Sequence, residues 1–106
     1  MTAERRKRLE AAGWKVGTVQ EFLGLSDEES ALLEIRLALA RGLRARRERR
    51  HLTQAALARK IGSSQSRVAK METGNPTVSI DLLVRALLAL GADPRELGRI
   101  IGSAAA

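Results

Sequence analysis

Within a few dozen residues the chain sets out Gln54, Ser64, Gln65, Ser66, Arg67 and Lys70. Their side chains can trade hydrogen bonds with the edges of base pairs. A glutamine amide donates and accepts at once and matches adenine in a bidentate way, whereas arginine and lysine donate to guanine N7 and O6. Ser66 is short enough to meet either a base or a phosphate. Polar residues on an exposed helix need have no other role than solvation, so the bases become the better target only if the surrounding elements hold this set together and turn it outward.

Those elements are two short helices. Thr53 is a good N-cap, because its hydroxyl accepts from a first-turn N–H that lacks a helical partner. Ala56, Leu57 and Ile61 follow at helical spacing and give one apolar face. Gly62 is free to take the left-handed conformation that ends a helix. Ser64 then caps a second helix, with Val68 and Met71 on one side and Gln65, Ser66, Arg67 and Lys70 around the others. The short connection forces the two helices side by side at a steep angle, which is a helix-turn-helix pattern.

The run L-T-Q-x-x-L-A-x-x-I-G-x-S-Q-S-x-V-x-x-M-E-x-G from Leu52 to Gly74 resembles the Cro/repressor-type helix-turn-helix of the Xre family. The likeness extends through Leu90, with His51 where the family often has glycine and Ser63 where it has a small apolar residue. It implies an all-α fold, a five-helix lambda-repressor-like helix-turn-helix core with an N-terminal helical extension. It also implies that Gln54 touches phosphate and buttresses Gln65.

A long helix is expected before this unit, from Asp27 to about Arg50, opened by Ser26 and Glu29 as a capping box. Leu32, Ile35, Leu39 and Leu43 form one stripe along it, and Leu33, Leu37 and Ala40 a second. So broad an apolar face calls for more than one covering surface. Four residues beyond Leu43 the main stripe lands on Arg47, a guanidinium that needs a partner where it is buried. The resemblance supplies Glu72 for a structural ion pair. After Gly74, Asn75 and Pro76 make a turn. Ser79 caps a helix through Leu90, with Ile80, Leu83 and Leu87 on one face and Leu82 and Leu88 beside them. Asp93-Pro94-Arg95-Glu96 opens a last helix, with Glu96 returning to the cap. The expected organisation is an arm over 1–30, the helix-turn-helix domain over 31–102 and a tail over 103–106.

Charge divides the chain. Of its net +7, residues 1–40 contribute 6 basic and 7 acidic groups, whereas residues 41–106 contribute 13 and 5. The basic half is thus suited to a polyanion. It holds no aromatic residue, since Trp14 and Phe22 both lie in the arm. Platforms for stacking single-stranded bases are therefore missing, and double-stranded DNA is the expected partner. The run Arg44–Arg50 has no aromatic insertion face beside it, which argues against a membrane surface. Arg49, Arg50, Asn75 and Thr77 flank the second helix and are candidates for phosphate contacts, which set register without reading bases.

No catalytic site is expected. His51 is the single histidine, cysteine and tyrosine are missing, and no glycine-rich phosphate loop is present. Serines at turns are explained by capping. No cofactor or metal is expected. With no cysteine, no signal-like apolar run and no segment long enough to span a bilayer, a soluble cytoplasmic protein is expected.

The arm segment GWKVGTVQEFLGLSDEE, followed by a leucine-rich helix and an Xre-like domain, resembles antitoxins of the HigA-like type, which repress their own operon and bind a RelE/HigB-like ribonuclease toxin. On that likeness Trp14, Val16, Phe22 and Leu23 are candidate contacts to a small basic toxin, although they equally suit packing on the long helix. The reading of the whole chain is a DNA-binding homodimeric repressor. A stand-alone repressor without a toxin, and a protein-interaction module with weak DNA binding, are its alternatives.

Overall fold

A computed structural model describes residues 23–104. Among them are five helices and no strand: α1 (Asp27–Arg49), α2 (Gln54–Ile61), α3 (Gln65–Glu72), α4 (Ile80–Ala89) and α5 (Pro94–Ser103). Each begins where a short polar side chain accepts from the N–H three residues on. The pairs are Ser26 with Glu29 at 3.1 Å, Thr53 with Ala56 at 3.0 Å, Ser64 with Arg67 at 3.2 Å, Ser79 with Leu82 at 3.1 Å and Asp93 with Glu96 at 2.8 Å. Each such cap contributes about 1 kcal/mol.

The first four helices end in a left-handed residue, which turns the chain sharply into the next element. After α1 that residue is His51, at φ 56, with its N–H on the Glu48 carbonyl at 2.9 Å. Histidine is among the few non-glycine types that tolerate this region. After α3 it is Gly74, where a side chain is excluded twice over. Its φ is +72, and an added Cβ would lie 2.7 Å from Leu37 Cδ2. Leu37 thereby packs directly on the backbone that leaves α3.

α1 packs on α3, α4 and α5, and α2 packs on α3 and α4. Leu39 and Leu43 of α1 meet Leu57, Val68, Met71, Leu83 and Leu87, all fully buried. The stripe expected from Leu32 to Leu43 is used unevenly: Ile35 borders the core, while Leu32 remains 48% exposed. α1 simply outruns the three helices packed on it. Gly42 lets α5 close in, with Ile100 Cδ1 only 3.1 Å from where a Cβ would stand. Leu88 lies 45% exposed on the outer side of α4.

Three arginines of α1 tie the other elements down. Arg36 donates to the Val78 carbonyl between α3 and α4. Arg46 donates to the Leu90 carbonyl at 3.3 Å and pairs with Glu96 of α5. Arg47 reaches α3. The Arg46 contact corrects one expectation. Glu96 does not return to its own cap, because a half-buried guanidinium offers a carboxylate a stronger, charge-assisted bond than a backbone N–H does.

Candidate nucleic-acid interface

α3 is divided lengthwise. Val68 and Met71 are fully buried and Glu72 is nearly so, which fixes the rotation of the helix against the core. The same rotation leaves Ser66, Arg67 and Lys70 exposed on the sides away from the core, and Gln65 is exposed at the N-terminal end of the helix. An open concavity is lined by Ser64, Ser66, Arg67 and Lys70 with Thr77 and Val78. The loop after α3 supplies its far wall. There Asn75 Oδ1 accepts from Thr77 N–H at 2.9 Å and from Thr77 Oγ1 at 2.7 Å, a closed turn that aims Thr77 into the concavity. Arg36 holds this wall from behind through the Val78 carbonyl. Its role escaped the sequence reading, although a charge set between the apolar Ile35 and Leu37, in the most apolar stretch of α1, was a visible sign of it.

Helix ends add to the field. α1, α4 and α5 carry acidic residues in their first turns, whereas α2 and α3 carry none. The N-termini where Gln54 and Gln65 stand thus carry their partial positive charge with no acidic residue in the first turn, the kind of helix end that favours an anion. Arg59 and Lys60 are exposed at the far end of α2.

Behind this face lies the pair of Arg47 and Glu72. Arg47 Nε donates to Glu72 Oε2 at 2.6 Å and Nη2 to Oε1 at 3.0 Å, a two-point contact between side chains 13% and 4% exposed. The remaining nitrogen, Nη1, donates to the Leu52 carbonyl at 2.7 Å. The hydrogen bonds to Glu72, with its charge and that of Glu48, raise the Arg47 pKa above its ordinary value against the opposing effect of burial. Gln54 joins them, its Nε2 donating to Glu72 Oε1 at 3.1 Å. That third bond to the carboxylate was not foreseen, since it depends on how closely α2 crosses the end of α3.

The flanking arginines part company with the concavity. Arg49 is exposed in the last turn of α1. Arg50 lies over Gly91, where an added Cβ would stand 2.6 Å from its Nη2, at the negative C-terminal end of α4. Leu23 is 53% exposed ahead of α1. Trp14, Val16 and Phe22 lie outside the described residues.

Residues 38–100, more than half of the chain, match the sequence model of the helix-turn-helix domain family. The chain belongs to that family. It is a helix-turn-helix DNA-binding protein, and α2, the Gly62 turn and α3 are its helix-turn-helix. Searches of curated proteins and of solved structures gave no match. Among the described residues of this helix-turn-helix protein, no three histidine, cysteine or acidic side chains are grouped to hold a metal ion. No described helix is long and apolar enough to cross a membrane.

Proposed function

We propose that the protein is a sequence-specific transcription repressor that binds double-stranded operator DNA as a homodimer, with α3 in the major groove. The division of α3 carries this reading. Four hydrogen-bonding side chains are exposed along a helix whose inner face is fixed by Val68, Met71 and the Arg47–Glu72 pair. Gln65 and Ser66 stand at the helix N-terminus, the end that reaches base edges in helix-turn-helix complexes. Gln65 suits adenine, and Arg67 and Lys70 suit guanine. Ser64, Thr77, Gln54 and Arg49 are the residues proposed to meet the sugar-phosphate strands, contacts that position the protein without reading sequence.

Dimerisation follows from the size of the reading unit. Eight residues of α3 reach only a few base pairs. A two-fold pair of such helices reads two half-sites about 10–10.5 bp apart, or a multiple of that spacing. Hydroxyl-radical footprinting on the DNA upstream of the gene tests this. The expected pattern is two protected patches on one face of the duplex, one turn apart. A single patch, or uniform protection, contradicts it.

The finer role proposed is that of a cytoplasmic antitoxin that represses its own operon and neutralises a RelE/HigB-like ribonuclease toxin. It is supported by the resemblance of the arm sequence to HigA-like antitoxins and by the exposure of Leu23 near the end of that arm and of Leu32 just after it. Co-expression with the neighbouring reading frame is the test. A complex that co-purifies and shifts promoter DNA is expected. A promoter-binding protein that captures no neighbour product is instead a stand-alone repressor.

A further inference from the structure

Gln54 is the first residue of α2 and is only partly buried, yet its amide is held from the inside. A carboxylate is an acceptor only, so the end of the amide facing Glu72 must be the NH₂ and not the carbonyl. This removes the usual two-fold freedom of a glutamine side chain. The carbonyl oxygen and the second amide hydrogen are left for the opposite side. Glu72 itself has little freedom, because both its oxygens are taken by Arg47 and its side chain is 4% exposed. Arg47 also anchors the Leu52 carbonyl at 2.7 Å, while its own carbonyl accepts from Leu52 N–H at 3.1 Å. The turn that leads into α2 is thus fixed by the residue that fixes the carboxylate.

We propose that the Arg47–Glu72 pair is an orienting device for Gln54, and that Glu72 is a positioning residue for the DNA strand crossing the N-terminus of α2. It holds the amide so that the second N–H, beside the first-turn backbone donors, faces a phosphate oxygen. This inference rests on the DNA-binding reading above and assigns to a buried pair an effect on affinity separate from its effect on stability.

Two measurements test it. In the free protein, side-chain amide relaxation by NMR should show the Gln54 NH₂ ordered and that of exposed Gln65 mobile. A Gln54 amide as mobile as Gln65 overturns the inference. This arm needs no variant and no DNA. The second uses the duplex that the wild-type chain selects from a randomised pool. There Gln54→Ala should weaken binding about tenfold and lower the salt dependence by about one phosphate contact. Arg47→Met combined with Glu72→Leu replaces the pair by apolar groups, an exchange that folds tolerate. It should weaken binding by a similar factor, after which Gln54→Ala should cost less than about twofold more. An undiminished tenfold loss in both backgrounds overturns the inference alone. Selection of no preferred duplex overturns the functional reading and this inference together. Should the combined variant not fold, the relaxation of Gln54 in the wild type decides.

Discussion

Breaking the Arg47–Glu72 contact from one side should cost far more than removing it whole. Arg47→Met deletes two donors to Glu72 and the donor to the Leu52 carbonyl, leaving a carboxylate with 4% exposure and Gln54 as its remaining described side-chain donor. Stranding a buried charge costs about 3–5 kcal/mol. Glu72→Leu strands the guanidinium instead. Arg47 is 13% exposed, keeps the Leu52 carbonyl and stays in the field of Glu48, so the loss should fall near the lower end, about 3 kcal/mol. With both changes no charge is left unpaired, and stability should lie within about 2 kcal/mol of the original. The coupling is then about 4 kcal/mol or more, a large share of the 5–15 kcal/mol that holds a domain together. Urea unfolding followed by helical circular dichroism measures all four corners of the cycle. Single effects that add to within about 0.5 kcal/mol would refute the reasoning, since groups that do not interact behave that way.

Arg67→Ala and Lys70→Ala should each lose about 1–3 kcal/mol on the preferred duplex and relax base choice at one or two positions, read by selection from randomised sites. Equal weakening on every sequence would make them phosphate contacts. Gly74→Ala should lower stability by about 2–3 kcal/mol in thermal unfolding, combining left-handed strain with the 2.7 Å approach of Leu37. A loss below about 0.5 kcal/mol would contradict that packing. Leu32→Gln, at a half-exposed position of α1, should change stability by less than about 0.5 kcal/mol yet reduce capture of a toxin in co-purification. An unchanged yield of complex would remove Leu32 from that surface.

Features set by neighbours in sequence are legible in the sequence itself. Thr53, Ser64, Ser79 and Asp93 cap the helices at which a short polar residue precedes an apolar period, and Gly62 turns the chain where a left-handed residue is required. Periodicity also set which side of α3 faces inward, because Val68 and Met71 are three residues apart. Features set by how helices cross were not legible. Glu96 is placed to return to its cap by spacing alone, and only the approach of α5 to α1 at Gly42 brings Arg46 within its reach. The exposure of Leu32 and Leu88 has the same origin, since an apolar stripe does not state how far its cover extends. In the candidate site, residue types marked out the reading face, but the bond from Gln54 to Glu72 and the seat of Arg50 over Gly91 needed the assembled fold.

The central claim is that α3 discriminates among DNA sequences. The direct test is fluorescence anisotropy with two duplexes at about 150 mM salt, one from upstream of the gene and one with the same bases scrambled. The account predicts that the upstream duplex binds at least about a thousandfold more tightly. Affinities for the two that agree within a few-fold would mean that the basic surface meets phosphate alone, and would contradict it.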